Sequence, residues 1–91
     1  MLNQVQLIGH IKEVLRSENG ELSLVLAVER SFKNNEGKFL TDYLTCRVWK
    51  AVVDVYENIC REGQLVSLSG RLESLDGKKI GITCTYVDFL K

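Results

Sequence analysis

Apolar and polar residues alternate along most of this chain. From the start of the alternation, Val5, Leu7 and Ile11 fall on one side with Gly9 between them, while Gln4, Gln6 and His10 fall on the other. A period of two predicts a half-buried strand. Gly9 removes a side chain within it, and a bend or bulge is expected there. Glu18-Asn19-Gly20 ends the run, and Asn-Gly is a strong tight-turn signal. A second strand is predicted over 21–30, with Leu22, Leu24, Leu26 and Val28 facing one way and Ser23, Val25, Ala27 and Glu29 the other. The turn pairs these two strands as a hairpin.

Residues 31–41 (SFKNNEGKFLT) are polar and predict a protruding hairpin loop, with Phe39 packing its base. Residues 42–50 (DYLTCRVWK) predict the third strand, in which Leu44, Cys46 and Val48 oppose Tyr43, Thr45, Arg47 and Trp49. A helix is predicted over 51–62, because Val52, Val53, Tyr56, Ile59 and Cys60 form one stripe. Gly63 is placed to end it in a left-handed conformation. The fourth strand is predicted over 64–74, with Val66, Leu68, Gly70 and Leu72 inward, followed by the turn Leu75-Asp76-Gly77-Lys78. The fifth is predicted over 80–90. There Ile80, Ile82, Cys84 and Tyr86 alternate before the phase flips to Val87 and Phe89, so a bulge is expected near Tyr86. Tyr56 and Tyr86 sit on these apolar stripes and are expected in the core.

Three strands, a helix and two strands match an all-β, five-stranded Greek-key barrel of the OB-fold type, with its helix between strands 3 and 4. A length of 91 residues with 45% apolar content suits one such domain over 1–91. Such barrels bind ligands on the face of strands 2 and 3 and the flanking loops. Phe32, Tyr43, Arg47 and Trp49 fall there.

Charge changes the picture only by its placement. Lys+Arg and Asp+Glu number 12 each, which argues against a chain that coats nucleic acid by bulk charge. A local basic groove remains compatible. Lys33 and Lys38 lie on the loop, Arg47 and Lys50 on strand 3, Arg71 on strand 4, and Lys78 and Lys79 on the last hairpin. Glu57 and Glu62 lie on the helix, and Glu13, Glu18 and Glu21 about the first hairpin, with Glu36 and Asp42 diluting the pattern. Segregated charge would reconcile zero net charge with phosphate binding.

Several classes of chemistry are not expected. Cys46, Cys60 and Cys84 lie in apolar runs without metal or disulfide spacing, as buried thiols in a reducing compartment would. His10 is the sole His, and no P-loop, GxGxxG, HExxH or nucleophile elbow occurs, so no enzyme, metal or cofactor is expected. The first residues carry no basic, apolar leader, and no apolar run reaches the roughly 18 residues of a membrane helix.

The chain resembles the bacterial single-stranded DNA-binding protein family. The resemblance rests on NQVQLIG (3–9), LAVERSF (26–32), DYLTCRVWK (42–50), GQLVSLSGRL (63–72) and VDFL (87–90), in this order and spacing. It implies sequence-independent binding of single-stranded DNA in replication, recombination or repair, in the bacterial cytoplasm and nucleoid. Bases would stack on Phe32, Tyr43 and Trp49, and phosphates would meet Lys33, Lys38, Arg47, Lys50, Arg71, Lys78 and Lys79. Trp49 shares its phase with Tyr43 and Arg47, which favours the groove over a core plug. Phe32 either meets DNA or caps the barrel end. The family also implies a homodimer through strand 1, residues 2–11, and a homotetramer of two dimers.

Two departures stand out. The hairpin over 74–79 lacks the aromatic usual in the family, and the sequence ends at Lys91 without the acidic tail that recruits replication and repair proteins. Tail-mediated recruitment is therefore not carried over. Two rivals follow: a dimeric OB adaptor of a primosome-like assembly with secondary DNA binding, and an RNA-binding OB or cold-shock-like domain.

Overall fold

The structure is a computed structural model that describes residues 1–90. Its strands are β1 (Val5–Arg16), β2 (Leu22–Lys33), β3 (Phe39–Val48), β4 (Leu65–Ser74) and β5 (Ile80–Phe89). They close into a barrel in the order β1-β2-β3-β5-β4. Every pairing is antiparallel except β3 with β5. This is the expected five-stranded Greek-key OB barrel. β1 closes it by bonding β4 from Val5 to His10 and β2 from His10 to Arg16. Among the described pairings, residues 5–9 therefore have a neighbouring strand on one edge only.

Closure puts the apolar side of each strand inside. Leu22, Leu24 and Leu26 of β2 meet Cys46 and Val48 of β3, Val66 and Leu68 of β4, and Cys84 and Val87 of β5. Each such Leu or Val side chain contributes about 1.5–3 kcal/mol when fully buried. The three thiols are free and buried. Burial pushes the Cys46 thiol up to about 11 and Cys84 up to about 12, and raises Cys60. At neutral pH all three are inert packing groups.

The segment between β3 and β4 departs from expectation. The helix predicted over 51–62 is a 3₁₀ turn (Lys50–Val52) leading into a four-residue helix α1 (Val53–Tyr56). Neither start has a side-chain cap, and Val52, Val53, Val55 and Ile59 are β-branched, so propagation is weak. Local side-chain bonds and one long-range backbone bond replace the missing helix. The Gln64 side chain accepts from the Arg61 N–H at 2.6 Å and donates to the Ile59 carbonyl at 3.2 Å. Gly63, at φ +89°, donates to the Ile11 carbonyl at 2.7 Å, so its left-handed turn docks the segment onto β1. Only Val53, Tyr56 and Cys60 of the predicted stripe are buried, and Ile59 is exposed. Tyr56 accepts from the Val87 N–H at 3.0 Å, which satisfies its hydroxyl inside the core.

Two other expectations shift. The loop predicted over 31–41 is mostly strand, and β2 and β3 run on as a ribbon to an Asn34–Lys38 turn. Asn34 builds that turn, since its Oδ1 accepts from the Glu36 and Lys38 N–H groups. Gly9 marks close approach rather than a bulge, for a Cβ there would collide with the Ala27 carbonyl. The bulge of β1 lies at Lys12, between the pairs Ile11–Leu26 and Glu13–Val25.

Candidate nucleic-acid interface

The outer face of β3 is built to stand proud. Tyr43, Thr45 and Arg47 lie directly opposite Ala27, Val25 and Ser23 of β2. These small partners leave the larger β3 side chains uncovered, and Tyr43 is 60% exposed. The Lys12 bulge on β1 aims its ammonium across the sheet to 5.7 Å from the Tyr43 ring centroid. Sequence reading missed Lys12. Its signal was the slip from Ile11 to Val14, which breaks the alternation by one residue.

Trp49 follows where β3 turns into the 3₁₀ segment. Its N–H donates to the Cys84 carbonyl at 2.8 Å, which fixes the backbone, while the residue stays 46% exposed. It lines a cleft of about 440 Å³ with Arg47, Lys50 and Arg71, and with Glu21 and Glu73. Arg47 and Arg71 both register with Thr83 of β5, which is 4% exposed and forms the floor between them. A shallower depression of about 270 Å³ continues past Arg47 and Thr83 to Leu75 and Ile80 on the last hairpin.

The predicted charge segregation is incomplete. Glu21 was expected apart from the cations, but the first hairpin forms a wall of the cleft. Glu73 went unremarked in the sequence, although its two-residue spacing from Arg71 puts both on one face of β4. Its Oε1 lies 3.0 Å from Arg71 Nε. The Thr83 hydroxyl, and after it Arg71, hold the Glu73 carboxyl below its usual range.

Of the predicted contact residues, Arg47, Trp49, Lys50 and Arg71 share one cleft, and Tyr43 shares the outer face of β3 with Arg47. Phe32, Lys33 and Lys38 belong to the β2–β3 ribbon and its turn, outside that cleft, with Phe32 68% exposed. Phe39 does not pack the base of its loop: it is exposed, with the Lys33 ammonium 5.6 Å from its ring centroid. The ribbon is clamped at its root, where Arg30 donates twice to Asp42, at 3.0 and 2.9 Å. Lys78 and Lys79 lie at the β4–β5 turn and line neither depression. Tyr86 is 56% exposed and not core. The extra residue of β5 is Thr85, since Ser69 pairs Tyr86 while Gly70 pairs Cys84, so the phase flips one residue before the tyrosine. Tyr86 stands instead on the outer face of β5, in a row with Ser69 and Gln6.

No helix of the described residues is long and apolar enough to cross a membrane. Comparison with known proteins agrees with the fold. Single-stranded DNA-binding protein B of Bacillus subtilis is 35% identical over 79 residues, covering 81% of this chain and 70% of that protein. Single-stranded DNA-binding protein 1 of Streptococcus pyogenes is 32% identical, covering 91% of this chain and 72% of that protein. The crystal structure of the wild-type single-stranded DNA binding protein from Thermus aquaticus superposes with a TM-score of 0.74 at 27% identity, over 99% of this chain. The chain spans 50% of the length of that Thermus protein. The model of the single-strand binding protein family matches residues 2–80, and the chain belongs to that family.

Proposed function

We propose that this protein binds single-stranded DNA without sequence preference and catalyses no reaction. Phe32, Tyr43 and Trp49 take the bases. Arg47, Lys50 and Arg71 take phosphates in the cleft, and Lys33, Lys38, Lys78 and Lys79 take them on the two hairpins. The observation that carries this reading is the exposed Trp49 in one cleft with three cations. A ligand with open base faces and a phosphate per nucleotide needs that combination. Stacking in single-strand binding proteins as a class is worth about 1–3 kcal/mol per base, so three platforms supply several kcal/mol before charge contributes. The protein acts in the bacterial cytoplasm, where replication, recombination or repair opens the duplex.

Self-association completes the reading. The unpaired edge over residues 5–9 supports a dimer through β1, and exposed Ile8 and Tyr86 beside it support pairing of two dimers. Trp49 is the sole Trp, so its fluorescence reports the site directly. Oligo-dT should quench it to saturation, and unchanged emission at saturating DNA would sink the stacking role. Competition with oligo-U tests the preference for DNA.

A second reading is a dimeric OB adaptor in a primosome-like assembly. Leu75 and Ile80, exposed on a hairpin without an aromatic, favour it. Light scattering separates the two: a dimer that oligo-dT quenches weakly is the adaptor's signature, and a strongly quenched tetramer is the general binder's.

A further inference from the structure

Glu73 is the cleft residue whose charge opposes a phosphate and whose contact occupies a cation assigned to one. Its carboxylate takes Arg71 Nε at 3.0 Å. An arginine grips a phosphate best through two parallel N–H groups, and a carboxylate on Nε closes the fork that includes that nitrogen. The carboxylate is itself held in place. Buried Thr83 sits beneath it, and Arg71, Thr83 and Arg47 form a row across β4, β5 and β3 that keeps Glu73 in the field of both guanidiniums. With Glu21 on the opposite wall, the cleft sets three cations against two carboxylates.

We propose that Glu73 is a built-in competitor for the DNA phosphate at Arg71. In the free protein Arg71 is neutralised by its neighbour, and a phosphate gains it only by displacing Glu73. This inference rests on the single-stranded DNA reading above. The cleft then holds the strand chiefly through the base on Trp49 and weakly through its backbone, so binding there is shallow in salt and release is fast. The opposite role for Glu73, orienting Arg71 toward the phosphate, predicts effects of opposite sign.

The test is Trp49 quenching by oligo-dT over a salt series, on the full chain carrying Glu73→Gln. Glutamine keeps the size and the acceptor oxygen but not the charge. Competition predicts binding about three- to tenfold tighter at low salt, and a log-affinity against log-salt slope steeper by about 0.7, the increment for one more phosphate on a single strand. Adding Arg71→Gln to Glu73→Gln should remove both gains, since the contact that Glu73→Gln frees is Arg71's own. Weaker or unchanged binding by Glu73→Gln overturns the proposal, as does a gain that survives loss of Arg71. Arg71 is exposed and Glu73 half-buried on β4, and thermal melting confirms that each variant folds. Absence of quenching in the unsubstituted protein removes the single-stranded DNA reading, and this inference with it. Quenching there without tightening in Glu73→Gln overturns this inference alone.

Discussion

Two outer regions of the barrel each expose aromatic side chains on a sheet, and they differ in what surrounds the rings. On β3, Tyr43 and Trp49 are accompanied by Lys12, Arg47, Lys50 and Arg71. On β5, Tyr86 is flanked by Ser69 and Gln6, with Asp88, Ser67 and Ile8 in the next row of the same face. An exposed ring is thus not by itself a nucleic-acid contact. Cations within reach make the first region suited to a polyanion, while the second offers uncharged polar groups, the Asp88 carboxylate and an isoleucine beside an unpaired strand edge. That composition suits a second copy of the protein better than a phosphate backbone.

The largest expected effect separates the two regions directly. Trp49→Ala should weaken oligo-dT binding by about 1–3 kcal/mol, or roughly 5- to 150-fold. Fluorescence anisotropy of labelled DNA measures it without the lost Trp signal. Tyr86→Ala should leave the per-protomer affinity within about twofold. Equal losses in the two variants would erase the distinction between the faces. Ile8→Glu should act in the reverse sense. It places a charge beside the β1 edge through which the proposed dimer forms, so light scattering should show a smaller assembly while Trp49 quenching persists. Ile8 is already exposed in the protomer, so the barrel loses no core contact.

The difference between the faces was only partly legible in the sequence. Alternation located all five strands, and the phase of Tyr43, Arg47 and Trp49 against Leu44 and Val48 separated the outward side chains of this segment from the core ones. Alternation does not say which strands become neighbours. The row Arg47–Thr83–Arg71 exists only because β5 pairs with both β3 and β4, which also brings the Thr83 hydroxyl to Glu73. Bulges were the other source of error. At Lys12 and at Thr85 one extra residue turns the following side chains over, which hid a cation on one face and misplaced Tyr86 from the other. The helix stripe over 51–62 misled for a different reason. Its apolar positions were real, but β-branched residues and bonds to β1 kept all but four residues out of the α-helix.

Lys12 sharpens the comparison at smaller scale, since it reaches the Tyr43 ring from a strand not among the expected contacts. If it belongs to the DNA face, Lys12→Gln should weaken oligo-dT binding about two- to fivefold and flatten the salt slope by about 0.7. A change in neither quantity places the edge of the DNA face at Tyr43.

The smallest effect concerns the ribbon beyond that face. Arg30 and Asp42 clamp its root where the β2–β3 register becomes irregular between Glu29 and Lys33. The Arg30 guanidinium, by hydrogen bond first, holds the Asp42 carboxyl below its usual range, and the pair raises Arg30 in return. Because the folded-state value is depressed, the clamp is fully present above the ordinary carboxylate range and is lost only as pH falls through that lower value. At neutral pH the solvent-exposed pair contributes little to stability, and removing it should change DNA affinity less than twofold. Its signature is local. A carboxyl titration followed by NMR should put the Asp42 midpoint below that of an unpaired aspartate, and Arg30→Gln should bring it back. In parallel, amide exchange in the ribbon should quicken at low pH in the unsubstituted protein, while Asp42→Asn should exchange fast across the range after correction for the intrinsic rate. If the ribbon amides show no such dependence, Phe32 is held by the barrel and not by the clamp, and the ribbon is as firmly placed as the Trp49 cleft.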